Sequence, residues 1–322
     1  MENLKNNLDN IKIKYDLFGN EVKQLSMRDR IGFLPISIWH PNWQVVKQLK
    51  ELVGDNGEKR FIDDQKSGNF RRGGQWVQKQ KKVGSFSAFS DQSKTIGRGN
   101  NNYAIKEGLG NQNNNVSIFN PHLAQMILSA YCPSNAKIYD AFGGGGTRGF
   151  IASAMGHNYT GIEIRQGEVD RIKKKQIELN TFFNIVCADS RYYNIEPESF
   201  DFSYTCPPYY DLEVYSHLEG DMSCADTYVR FLEMLKESLT ITYQGLKKDC
   251  LCVLVIGNFR DKDGNLIHFS GDTIRLAKEI GFQLHDELIF WGASGSANQR
   301  VGNFEANRRS VRVHEYIIIL KK

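Results

Sequence analysis

From about Val116 to the end of the chain, strand-like and helix-like segments alternate, and no other feature constrains the fold as tightly. Lys137–Phe142, Tyr159–Ile164, Phe183–Ala188, Phe200–Thr205 and Cys250–Ile256 read as strands. Pro121–Tyr131, Arg148–Met155, Gln166–Asn180, Asp226–Leu246 and Gly271–Ile280 read as helices. This alternation predicts a mostly parallel sheet covered by helices on both faces. Asp286–Phe290 and Glu315–Leu320 follow one another without a crossover helix, which predicts a final antiparallel pair. Open α/β sheets bind ligands beyond the carboxyl ends of their strands, so chemistry is expected where strands stop.

The chain divides into residues 1–115, an N-terminal region that is partly irregular and basic, and residues 116–322, the α/β domain. In the first part, the spacing of Trp43, Val46, Leu49 and Leu52 predicts an amphipathic helix. Residues 66–115 are rich in Gly, Asn, Gln, Lys and Arg and read as loop or short irregular structure. Between Lys59 and Lys106, basic residues outnumber acidic ones and Phe70, Trp76, Phe86, Phe89 and Tyr103 are interleaved, a pattern suited to phosphates and stacked bases. The bland alternative is a solvated surface segment. Net charge is only +4, so this distribution carries more weight than the total.

At 322 residues and 40% hydrophobic content the chain can bury a sizeable core. It shows no apolar run long enough for a membrane span and no secretory leader, which leads us to expect a cytoplasmic protein. The six cysteines form no C-x-x-C pair, so neither a metal site nor a disulfide framework is expected; Cys250 and Cys252 read as strand core.

Three successive strand ends carry ligand-type residues. The first runs Asp140-Ala141-Phe142 into the turn Gly143-Gly144-Gly145-Gly146-Thr147, where glycine lets the backbone bend sharply and approach a ligand. No Gly-Lys-Ser/Thr follows, which excludes a phosphate loop. The second ends at Glu163, at the distance where an acidic residue meets a ribose. The third ends at Asp189-Ser190, suited to an adenine ring. Together they point to a nucleoside cofactor without a pyrophosphate. Taken alone, Glu163 is as well read as an exposed strand end, and Arg148 as a helix-surface salt bridge.

The fourth strand runs into Cys206-Pro207-Pro208-Tyr209-Tyr210. Two prolines cannot continue a central strand and fix the shape of the turn.

The glycine turn Phe142–Gly146 and the turn Cys206–Tyr209 resemble the marks of the DNA amino-methyltransferase (N4-cytosine/N6-adenine) family, in the order called gamma. Ser117-Ile118-Phe119-Asn120-Pro121 is similar to the family segment that holds the methionine part of the cofactor. Several stretches, among them Cys206–Ser216, are similar to phage and prophage methylases. The resemblance implies a Rossmann-like class I S-adenosylmethionine methyltransferase fold, with a mostly parallel seven-stranded sheet and an antiparallel last strand. It implies S-adenosyl-L-methionine as cofactor, double-stranded DNA as partner, and no metal or membrane; a homodimer is compatible with it. The implied cofactor residues are Phe119, Asn120, Asp140, Phe142, Gly144, Gly146, Thr147, Glu163, Asp189 and Ser190. The implied catalytic residues are Cys206, Pro207, Pro208 and Tyr209.

Cys206 departs from the family's Asp, Asn or Ser, and a thiol is a weak hydrogen-bond acceptor. The Pro207 carbonyl or Thr205 can carry more of the role; alternatively Cys206 is a nucleophile toward C5 chemistry. Tyr210, Asp211, Arg300, Arg308 and Arg309 are the substrate-binding candidates, because Arg and Asn commonly read base edges and phosphates. Asp211, Glu213 and Tyr215 are read evenly as pocket or surface, His217 as structural or solvated, and the loop Ser294–Arg312 that holds the three arginines alternatively as a surface hairpin without a ligand. An RNA base methyltransferase, or a catalytically silent DNA-binding relative, are the competing functions.

Overall fold

The computed structural model describes residues 36–53, 119–210, 215–216, 218–261, 263–292 and 308–322, together with the backbone of residues 70–72 and 75–77. An eight-stranded sheet runs through them. Its strands are β1 (Ile38–Trp39), β4 (Lys137–Asp140), β5 (Asn158–Glu163), β6 (Asn184–Cys187), β7 (Phe200–Thr205), β8 (Leu246–Ile256), β11 (Gln283–Trp291) and β12 (His314–Lys321), in the order β1-β11-β12-β8-β7-β4-β5-β6. Only β12 runs antiparallel to its neighbours. The seven expected strands are all present. The eighth, β1, pairs parallel with the edge strand β11, Ile38 opposite Ile289 and Trp39 opposite Phe290. Two residues carry too little periodicity to be read as a strand from sequence. Two short hairpins lie outside this sheet: β2 (Phe70–Arg72) with β3 (Gln75–Val77), and β9 (Phe259–Arg260) with β10 (Leu266–Ile267).

From β4 the sheet grows one way through β5 and β6 and the other way through β7 and β8. The direction in which strands are added to the sheet therefore reverses between β4 and β7, and the crevice beyond their carboxyl ends is the switch point of a doubly wound fold.

Side chains alternate across the sheet with the period of two that strand geometry imposes. In β8 and β12, Val253, Val255, Ile317 and Ile319 join one core cluster with Leu49, Leu123, Ile127 and Phe150. Cys252, Leu254, Ile256, Ile318 and Leu320 join the opposite cluster with Phe231, Leu235 and Phe269. Cys252 is buried as expected, whereas Cys250 is only partly so.

The helices are α1 (Trp43–Leu52), α2 (Pro121–Tyr131), α3 (Thr147–Ala154), α4 (Gln166–Glu178), α5 (Tyr228–Gly245) and α6 (Phe269–Ile280). Helix α1 confirms the amphipathic reading with its face turned: Val45, Val46 and Leu49 are buried, but Trp43 is 53% exposed. Trp39, Val45, Leu49 and Val53 share a core cluster with α2 and the sheet, so this part of the N-terminal region packs into the α/β body. A hydrogen bond from Asn42 N to His122 Nδ1 at 3.1 Å joins the two, and burial lowers His122 to a pKa of about 4.

Among the described residues no helix is long and apolar enough to cross a membrane, and no cluster of His, Cys, Asp and Glu could hold a metal ion.

Candidate active site

A cavity of about 340 Å³ opens at the switch point. The chain turns after β4, β5, β6 and β7 all contribute to its wall, together with residues 119–120 and Glu315. It therefore unites the glycine turn and the Pro-Pro turn in one space.

The glycine turn is held from below. Asp140 is fully buried and does not line the cavity. Its Oδ1 accepts from Phe142 N at 3.0 Å and Thr205 Oγ1 at 2.7 Å. Its Oδ2 accepts from Arg148 Nε at 2.7 Å and the Tyr159 hydroxyl at 2.5 Å. These donors come from four segments, so Asp140 ties β4, β5, β7 and α3 together beneath the cofactor turn. This corrects its expected place among the cofactor contacts. Arg148 is likewise corrected: it is 5% exposed, not on a helix surface. Burial works against its charge, but Asp140 outweighs burial and holds the guanidinium above its usual range. Arg148 also donates to the Phe142 carbonyl and lies over the Phe119 ring at 4.8 Å. Thr205 is fully buried and its hydroxyl is committed to Asp140, so it cannot assist Cys206.

Phe119, Asn120, Phe142, Gly144, Thr147, Glu163, Asp189 and Ser190 line the cavity as the sequence suggested. Asn120 also caps α2, accepting from His122 N and Leu123 N at 3.0 and 3.2 Å. Gly146 does not reach the wall; at φ +77° it turns the chain into α3. Glu163 Oε1 is held by Arg165 N and Nε at 2.9 and 3.0 Å. That fixes the carboxylate, and among the described residues no donor reaches Oε2. Asp189 is gripped by Arg191, and Ser190 Oγ meets Ser238 Oγ on α5 at 2.9 Å.

Tyr215, Gly220, Asp221 and Met222 also line this cavity. Gly220 packs so closely that a Cβ there would lie 2.5 Å from Asp189 Oδ2. Tyr215 lies beside Arg165, its ring centre 5.7 Å from the guanidinium, at the end of the cavity that Glu163 lines.

At the other half stand Cys206, Pro207, Pro208 and Tyr209, with Phe290, Gly292 and Glu315. The Tyr209 hydroxyl donates to Glu315 Oε1 at 3.2 Å. Burial, then the Glu315 charge, pushes the phenol well above its usual range. Burial also pushes the Glu315 carboxyl up, opposed by the Tyr209 hydrogen bond. Glu315 is the residue that sequence reading missed here. Tyr210, expected to bind substrate, instead packs against Tyr228 and Phe231 at 5.5 and 5.6 Å and does not line the cavity. Asp211, Glu213, His217, Arg300 and most of the basic stretch lie outside the described residues, as do Ser117 and Ile118.

A family model described as DNA methylase matches residues 10–174, half of the chain. This chain belongs to the DNA methylase family. The match includes the glycine turn; the Cys206–Tyr209 turn of this methylase lies beyond it. Among solved structures, a SAM-dependent methyltransferase from Methanosarcina mazei is similar with a TM-score of 0.43 at 14% identity, covering 61% of this chain and 96% of that one. A TehB-like SAM-dependent methyltransferase from Corynebacterium glutamicum gives 0.41 at 19%, covering 69% and 96%. A candidate DNA modification methylase from Thermus thermophilus, complexed with S-adenosyl-L-methionine, gives 0.33 at 19%, covering 42% and 53%. No curated protein matches the methylase.

Proposed function

We propose that this methylase transfers the methyl group of S-adenosyl-L-methionine to an exocyclic amine of a base in double-stranded DNA, N6 of adenine or N4 of cytosine, with the base turned out of the duplex. The observation that carries this reading is the single cavity lined both by the glycine turn and by the Cys206–Tyr209 turn.

The residues at one half suit a nucleoside. Glu163, pre-set by Arg165, offers a carboxylate oxygen for ribose hydroxyls. Asp189, held by Arg191, and Ser190 line the same wall and offer polar groups suited to an adenine edge. Phe119, Asn120 and Thr147 flank the methionine side. The bound cofactor supplies an electrophilic methyl group on a sulfonium.

The other half suits the amine. The lone pair of an exocyclic base amine is delocalised into the ring, so it is a poor nucleophile until acceptors draw on its protons. The Pro207 carbonyl, held by two prolines, is one acceptor, and Cys206 is a weaker second. Tyr209 offers a ring face for stacking the extruded base. Because transfer is an in-line displacement, holding amine and methyl in line supplies much of the acceleration.

The test is transfer of tritiated methyl to unmethylated duplex DNA and, in parallel, to RNA. Label in duplex DNA alone supports the reading. Label in RNA alone replaces the substrate, and cofactor binding without label in either supports a silent DNA-binding relative.

A further inference from the structure

Strands β8 and β12 are antiparallel neighbours, with Ile256 opposite Tyr316. The chain that continues β8 and the chain that leads into β12 therefore run side by side past the carboxyl end of the sheet. Their inner residues both meet the catalytic turn: a Cβ at Gly257 would lie 3.5 Å from the Tyr209 ring, and Glu315 accepts from its hydroxyl. Three residues further out on each path stand Arg260 and Arg312.

A third cation joins them on the turn between β9 and β10. Arg260 Nη1 donates to Gly264 O at 3.1 Å, and Arg309 Nη2 to Asp263 O at 3.5 Å. The Arg309 guanidinium lies so close over Gly264 that a Cβ there would be 1.8 Å from Nη1, and the glycine has φ +82°. A side chain there would be strained by the positive φ and would push the Arg309 guanidinium aside. One turn thus seats two guanidinium groups on consecutive carbonyls. Burial, and then Arg309 and Arg312, lower the Arg260 pKa, as expected of like charges held close.

Asp261 closes the turn, accepting from Asp263 N, Asn265 N and Asn265 Nδ2. Among the described residues no carboxylate forms an ion pair with Arg260, Arg309 or Arg312, and Arg312 Nε is buried without a partner. By contrast, Arg148 pairs with Asp140, Arg165 with Glu163 and Arg191 with Asp189. Clustered guanidinium groups without acids are stabilised by an external anion, and their planar forks match the oxygens of a phosphodiester.

We propose that Arg260, Arg309 and Arg312 form a seat for the DNA phosphates flanking the target base, at the mouth of the cavity on the Tyr209 side. This rests on the reading that a DNA base is the methyl acceptor. Phosphate contacts fix register and orientation without reading sequence, so the seat positions the strand whose base enters the cavity.

The test is duplex-DNA affinity as a function of salt for the full chain, by fluorescence anisotropy, with cofactor binding followed by calorimetry. The double variant Arg260→Gln/Arg312→Gln and the milder single variant Arg309→Gln are compared with wild type. Each phosphate contact removed lowers the slope of log affinity against log salt by about 0.9, so the double variant loses roughly 1.8. KM for DNA rises while cofactor affinity stays unchanged. Should the double variant lose cofactor binding through misfolding, the single variant carries the test with a loss of about 0.9. Wild-type slopes in variants that still bind cofactor, from a protein that does methylate DNA, overturn the seat and leave the proposed function standing. A wild-type protein that neither binds nor methylates DNA overturns both.

Discussion

The Tyr209 hydroxyl donates to the Glu315 carboxylate at 3.2 Å, joining the turn after β7 to the strand β12 at the cavity wall. The bond orients the ring proposed to stack on the base, and Glu315 and Cys206 line the same cavity. Tyr209→Phe keeps the stacking face and leaves Glu315 without its donor. If the 1–3 kcal/mol cost of a buried group left unpaired falls on the transition state, kcat drops about fivefold to 150-fold. Tyr209→Ala, like Pro207→Ala, is expected to abolish transfer. Cofactor affinity measured by calorimetry should hold in all three; an equal loss of cofactor binding would mean that the turn does not serve the substrate.

Glu315 also makes stability depend on pH. Its folded pKa is raised above the ordinary 4.5, so the fold favours the neutral form. The contribution is fully present below pH 4.5 and is lost as pH rises through the folded value. Glu315→Gln keeps an acceptor for Tyr209 but cannot ionise. Its stability relative to wild type should therefore rise with pH in denaturant titrations started near about pH 4. A difference that stays constant with pH would sink this.

His122 gives the opposite sign. Its folded pKa is lowered from 6.5 to about 4, because burial disfavours the charged form of a ring whose neutral Nδ1 accepts from Asn42 N. Its contribution is present above pH 6.5 and is lost as pH falls toward 4. The loss amounts to on the order of 3 kcal/mol when complete. His122→Asn, which retains a short acceptor, is expected to remove that part of the acid slope in parallel denaturant titrations of variant and wild type. An unchanged slope would show that α1 docks independently of this ring.

Much of this site was legible because strand ends announce themselves. Phe200–Thr205 ran as read into Cys206-Pro207-Pro208, and Glu163 and Asp189 closed their strands at the cavity wall. Asp140 misled for the same reason: a carboxylate at a strand end reads as a ligand contact, and only the packing reveals four donors already around it. Arg148 misled because nothing local marks a buried partner eight residues away. Glu315 did leave a signal. It shares the strand parity of Ile317 and Ile319, so a carboxylate stands at a core-facing position of an apolar strand. Tyr215, Gly220 and Met222 left none, because irregular segments have no period to read.

The Asp140–Arg148 pair should matter to folding more than to chemistry. Asp140→Asn leaves a buried guanidinium without its counter-charge, and such losses cost about 3–5 kcal/mol. Urea unfolding is expected to show this drop together with weakened cofactor binding. A change under about 1 kcal/mol would mean that the remaining donors hold the turn without the charge.

The most direct test of the central claim is the identity of the methylated nucleoside. Duplex DNA incubated with the full chain and S-adenosyl-L-methionine would be digested to nucleosides and resolved by mass spectrometry. N6-methyladenine or N4-methylcytosine is the expected product, and Tyr209→Ala should yield neither. 5-Methylcytosine would contradict the account by making Cys206 a nucleophile, and unmodified DNA from a protein that binds the cofactor would contradict it outright.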